Sequence, residues 1–254
     1  MTNIVLLNNV EHHDLHVALG HSAAFGDAVN QTLIFPTEFE DAQREYPILF
    51  QRNEDGRTQA VVLLGLDRDE NLYLEQNGWT GRYVPAIHQR GPFLIGFQER
   101  EVAGERIREP MIHVDLDHPR IHRGEKEGSQ PLFLAQGGNA PYLDHEIRIL
   151  RVIHDGLEVG QSMYAAFEEH QLIEPMRLQI ALDETTRYDL ADYHTISAEK
   201  LQQLDGAALE KLHRAGFLRA AFNVVQSMGN ISRLIDMKNR KREAATARMA
   251  REMA

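Results

Sequence analysis

The spacing of apolar residues divides the chain near residue 140. Before that point apolar residues come in short runs at 32–35, 48–50, 60–66, 71–74, 93–97 and 111–116. The runs are short and rich in Val, Ile, Leu and Phe, the residue types that strands favour. Asn53 to Gly56, Asp67 to Asn71, Asn77-Gly78 and Arg90-Gly91-Pro92 separate them with residues that suit chain reversals. The first half therefore predicts a mainly antiparallel sheet.

After Pro141 the period lengthens. Ile147, Leu150, Ile153, Leu157, Tyr164 and Phe167 form a helical stripe. It predicts one long amphipathic helix over 142–173, bent or loosened at Gly156 and Gly160 and stopped before Pro175. Residues 176–182 and 186–190, joined by Asp183-Glu184-Thr185, predict a hairpin with Met176, Leu178, Ile180 and Leu182 on one face. Helices follow at 197–203, 205–213 and 216–237, the first capped by Ser197. The fold class is α+β, with an antiparallel sheet in the N-terminal half, a long amphipathic helix, a β-hairpin and a helical C-terminal part. One domain is expected over 1–237, strand-rich over 1–135 and helix-rich over 142–237. Beyond Met237 the stripe thins to Met249 and Met253, so 238–254 reads as a helical or frayed tail with little to bury.

Of the 254 residues, 43% are apolar and 26% charged, enough for a single core. The absence of cysteine removes disulfides, thiolate metal ligands and a thiol nucleophile, and suits a reducing compartment. No apolar run approaches the roughly 20 residues of a membrane span, and the N-terminal run lacks the basic flank of a secretory signal. The expected location is cytoplasmic. A net charge of −11 argues against a nucleic-acid partner. The tail is the exception, with Lys238, Arg240, Lys241, Arg242, Arg248 and Arg251 against Glu243 and Glu252. It offers a basic surface to an acidic protein partner.

Histidine is abundant, with 13 copies, so acid–base and metal chemistry come first among candidate activities. Glu11, His12, His13, Asp14, His16 and His21 form one group, but the segment carries no helical pattern to hold ligands and reads as an unstructured, solvated surface stretch. The second group runs from His113 through Asp115 and Asp117 to His118 and His122. His113-Val114-Asp115 has the form of the His-x-Asp pair of non-haem iron oxygenases, and a strand would put His113, Asp115 and Asp117 on one face. His145, His154, His170 and His194 are available as a third ligand. The competing reading makes Asp117-His118-Pro119 a strand-ending turn and the acids solvated; it is preferred, and no metal or other cofactor is expected. Nucleophile-elbow, zinc-protease and nucleotide-loop templates are missing. Gln136 to Pro141 reads as a turn leading into the long helix. Phe93, Ile95 and Phe97 alternate as a core face, which leaves Trp79 and Tyr83 as candidate walls of a binding site.

Taken in order, Phe35-Pro-Thr-Glu-Phe39, Tyr46-Pro-Ile-Leu-Phe50, the 60–66 run, Asn71-Leu-Tyr73, Gly81-Arg-Tyr-Val-Pro-Ala86 and Arg90-Gly-Pro-Phe93 resemble the SapC family of bacterial proteins. The resemblance continues through Val114 to Arg120, Leu172 to Met176 and Leu209 to Leu234, with Ser227-Met-Gly-Asn230 near its close, and covers nearly the whole chain. His113 and the basic tail depart from the family pattern. The resemblance implies a link with bacterial surface arrays. It also implies a genetic setting beside TonB-dependent receptors, tryptophan-halogenase-like proteins and cupin-like oxygenases. It assigns no catalytic residue.

Two functions follow as expectations. The first is a non-catalytic accessory or binding protein of envelope, uptake or peptide-modification systems. It would bind a protein partner, either a second copy or a product of the same locus, through Lys238, Arg240, Lys241 and Arg242, and a ligand near Trp79 and Tyr83. The alternative is a metal-dependent, non-haem iron-like oxygenase built on His113 and Asp115.

Overall fold

The computed structural model describes residues 3–102 and 105–252. Met1 and Thr2 of the N-terminal run and Met253 of the tail lie outside the described residues. The N-terminal part contains β1 (Ile4–Leu6), β2 (Leu15–Ala18), β3 (Gln31–Ile34), the short helix α1 (Phe39–Ala42), β4 (Ile48–Arg52) and β5 (Thr58–Leu63). It continues with β6 (Leu74–Glu75), β7 (Gly78–Trp79), the single-turn α2 (Ala86–Gln89), β8 (Phe93–Val102), β9 (Glu105–Asp115), β10 (Ile121–Arg123) and β11 (Ser129–Pro131). The C-terminal half holds α3 (Pro141–Glu169), β12 (Ile173–Ala181), β13 (Arg187–Ile196), α4 (Ala198–Gln202), α5 (Gly206–Arg214), α6 (Phe217–Ser227) and α7 (Asn230–Glu252).

All strand pairs among the described residues are antiparallel, and the fold is α+β. The principal sheet has the order β12-β13-β4-β5-β3. The C-terminal hairpin thus extends the N-terminal strands, with His194 of β13 opposite Phe50 of β4. On the hairpin, Leu178 and Ile180 are buried while Arg177 and Gln179 face out, as alternation requires. Three smaller sheets, β1-β9-β8, β10-β2-β11 and the two-stranded β6-β7, are formed by the other strands among the described residues.

Helix α3 spans the cores that these sheets build. Its first half gives Leu143 and Leu150 to a cluster with Leu15, Val17, Phe93, Val114 and Leu132, and its second half gives Met163 and Phe167 to the main core with Phe50. The helix is unbroken through both glycines and ends at Glu169, short of the expected 173. Gly156 serves a close approach rather than a bend, since a Cβ there would lie 2.5 Å from Phe35 Cβ and 2.6 Å from Thr37 Oγ1. Thr37 Oγ1 in turn donates to Val152 O at 2.8 Å. Among the described residues, no helix is long and apolar enough to cross a membrane.

Four expectations need correction. The histidine-rich segment at 11–21 is ordered, because Leu15 and Val17 need burial and draw β2 into a sheet between β10 and β11. The run at 71–74 is mostly a turn, in which the Asn71 side chain accepts from Tyr73 N and donates to Asp27 O. The helix expected over 216–237 is two, α6 and α7, parted at Met228 and Gly229. The segment from 238 onward continues α7 and begins docked: Lys238, 6% exposed, donates to Asp67 and Glu70. Ion pairing holds that turn where apolar burial does not. Burial would raise the Glu70 carboxyl, but Lys238 and Lys241 outweigh it and hold the group below its ordinary value.

Candidate functional site

A cleft of about 330 Å³ opens where four stretches distant in sequence converge. The 3-10 turn at Ala23–Phe25 ends at Gly26 with φ +86° and presents Asp27. Ser22 N closes the turn onto Asp27 Oδ2 at 2.9 Å. Helix α2 presents His88, and its first N–H, Ala86 N, is anchored on Glu38 Oε1 at 2.7 Å. Arg90 follows α2, and Gly91 has φ +49°, a left-handed conformation that suits glycine. The turn after β9 carries His118 and Arg120, and is fixed by Arg120 N on His118 Nδ1 at 3.1 Å and by Ala18 N on Arg120 O at 2.8 Å.

Asp27 is the hub. Its Oδ1 lies 2.8 Å from His88 Nδ1, and its Oδ2 accepts from Arg120 Nη2 at 3.3 Å. His21 Nδ1 is 3.4 Å from Oδ2. Burial works to raise the Asp27 carboxyl, but hydrogen bonds from His21, His88 and Ser22 outweigh it and hold the group well below the usual carboxylate range. An ionised Asp27 only accepts, so His88 Nδ1 carries the shared proton and Nε2 is the ring atom left uncommitted. Trp79 packs against this imidazole, with ring centroids 5.2 Å apart, and meets His21 edge-on at 5.6 Å. The Arg120 guanidinium lies 4.8 Å from the Phe25 ring centroid.

Three residues that line this cleft each carry a buried side-chain nitrogen with no hydrogen-bond partner among the described residues: His88 Nε2, Arg90 Nε and Arg120 Nε. Most buried polar atoms in folded proteins are bonded, so three together are unusual. Burial pushes the Arg90 guanidinium below its ordinary value, and burial with the nearby Arg120 charge pushes His118 down toward its neutral form. A larger groove of about 610 Å³ lies between α3 and the β3–β5 edge, but there Glu168 is already engaged by Arg52 and Thr58, each at 2.9 Å.

The residues proposed from sequence fall in different places. His113 packs its ring against Gly96, where a Cβ would lie 2.5 Å from Cε1. Asp115 reaches the cleft rim and accepts from Asn3 N and Asp117 N. Asp117 itself is exposed. Among the described residues, no group of three or more histidine and acidic side chains is arranged to hold a metal ion. Trp79 donates from Nε1 to Tyr46 Oη at 2.9 Å while its ring backs His88. Tyr83 is directed elsewhere, donating to the buried Glu38 at 2.6 Å. Of the basic residues, Lys238 and Lys241 bond Glu70 and Arg242 bonds Asp183. Arg240 donates to Asp236 O within its own helix.

Asp27, His88, Arg90 and Arg120 escaped the reading of the sequence. Arg90 and Arg120 lie inside the Arg-Gly-Pro and Asp-His-Pro-Arg segments that carry the resemblance, and His88 is two residues past Tyr-Val-Pro-Ala. Those segments were the available signal. Asp27, in Phe-Gly-Asp, had none. Compared with known proteins, the chain is matched by the SapC family model over residues 7–234. No curated protein and no solved structure matches it.

Proposed function

The chain belongs to the SapC family, and we propose that it is a binding protein, accessory to the envelope, uptake or peptide-modification systems that the resemblance implies, with the Asp27–His88 cleft as its ligand site. One observation carries this reading: three residues lining a single cleft, His88, Arg90 and Arg120, each hold a buried nitrogen that no described residue bonds. Asp27 and His88 form the pair that orients a general base. Among the described residues lining the cleft, however, there is no Ser, Thr, Tyr or Lys for that base to activate, which favours binding over covalent chemistry on a hydroxyl or amine. The cysteine-free composition suits the cytoplasm as its place of action. A protein of the same system, or a second copy, is the proposed partner.

The test is a thermal-shift screen of small metabolites on the wild type and on Leu94→Trp, which fills the cleft from β8. Ligands should raise the wild-type Tm by a few degrees, as binding to the folded state alone requires, and should leave Leu94→Trp unmoved. A screen in which both proteins respond alike, or neither responds, overturns the assignment of the cleft.

A further inference from the structure

The geometry points to a carboxylate group on a small organic acid as the feature this cleft recognises, with Arg90 supplying the counter-charge. The inference rests on the reading of the cleft as a ligand site and narrows it to one chemistry.

Of the two arginines and two aspartates that line the cleft, Arg90 is the cation with no carboxylate bonded to it among the described residues. Arg120, 4% exposed, faces Asp27, and the two charges offset each other. Asp115, half-buried at the rim, takes N–H groups from Asn3 at 3.2 Å and Asp117 at 3.1 Å. His118 is held toward its neutral form. Arg90 is left. Its Nη1 donates to Phe93 O at 2.7 Å, its Nε has no partner, and no carboxylate pairs with it among the described residues. A desolvated guanidinium without an anion is costly, and an incoming anion recovers that cost as charge-assisted hydrogen bonds.

The same atoms restrict what the anion is. Arginine nitrogens can only donate, so the ligand group that meets Arg90 must accept. Asp27 and Asp115 lie in the same lining as the two arginines, so a single negative charge answers Arg90 locally. A phosphate dianion would bring a second charge toward Asp27 and Asp115 with nothing to offset it. Ile4, Phe25, Ile87 and Leu94 supply apolar wall for the body of the acid. At about 330 Å³, near the lower end of ordinary ligand pockets, the cleft suits an acid of a few carbons.

Butyrate, butyramide and inorganic phosphate separate the alternatives when each is titrated at matched ionic strength into the ¹⁵N-labelled full chain. The readout is the arginine Nε–H resonances, assigned with Arg90→Gln and Arg90→Lys. Butyrate should shift the Arg90 and Arg120 signals saturably while butyramide leaves them in place. Arg90→Gln should weaken butyrate binding at least tenfold, with Arg90→Lys in between. Equal shifts from butyramide, or shifts from phosphate alone, would overturn the carboxylate inference and leave the cleft as a ligand site. Silence with all three probes would also overturn it, and the comparison with Leu94→Trp then decides the ligand-site reading separately. Should Arg90→Gln fail to fold, the wild-type titration still discriminates.

Discussion

Glu146 illustrates how a single buried carboxyl leaves a mark on stability. It sits on α3, 2% exposed, with Tyr142 as its hydrogen-bond donor and Oε2 without a partner among the described residues. Burial raises its carboxyl to about 7, against the pull of Tyr142 and Arg120. A carboxyl whose folded pKa lies above its unfolded value weighs against folding once the unfolded chain ionises. Stability is therefore retained below the ordinary value of 4.5, declines between 4.5 and about 7, and is level above that. The gap corresponds to roughly 3 kcal/mol. Glu146→Gln, which keeps the shape and removes the charge, should raise the Tm more at pH 8 than at pH 5. Equal gains at the two values would show that Glu146 ionises as freely in the folded protein as outside it.

At the scale of elements, the two glycines of α3 make opposite predictions. Gly156 lies against Phe35 and Thr37 with no room for a methyl group, whereas at Gly160 the nearest atoms, on Tyr164 and Pro36, would be 3.4 to 3.8 Å from a Cβ. Helix propensity favours alanine at both positions by about 1 kcal/mol. Gly160→Ala should therefore be neutral or raise the Tm by a few degrees. Gly156→Ala must push α3 away from the 35–37 turn, and should lower stability by about 1–3 kcal/mol. Urea denaturation of the two variants reads this directly, and similar midpoints for both would contradict the close approach of α3 to that turn.

Across the whole molecule, ion pairs tie the C-terminal helix to loops of the first half and to the hairpin. Lys238 bonds Asp67 and Glu70, with Lys238 and Glu70 side chains 8% and 7% exposed, and Arg242 bonds Asp183. Beyond Arg242 the described residues are exposed. Removing one partner of a buried pair strands the other charge, at a cost of about 3 kcal/mol or more. Truncation after Met237 should thus lower the Tm by several degrees, while truncation after Arg242 should leave it within a degree or two of the full chain. If both truncations behave alike in differential scanning calorimetry, the Lys238 anchor contributes nothing.

Elements whose signal is local were legible along the chain. The short apolar runs of β3, β4 and β5, the 3.6-residue stripe of α3, Ser197 as the N-cap of α4 and the hairpin of β12 and β13 are set by neighbours a few positions apart. The motifs carrying the family resemblance were legible for the same reason, as short strings of residues. Tertiary structure decided what depended on distant partners. Leu15 and Val17 form a strand because β10 and β11 flank them, and Lys238 is fixed because Asp67 and Glu70 lie beside it. The candidate site belongs to this second kind. Asp27, His88 and Arg120 acquire their roles only when the turn after Phe25, helix α2 and the turn after β9 meet, and no spacing in the chain encodes that meeting. Hydrophobic periodicity reports which face of an element is buried; it carries no record of which polar side chains burial brings together.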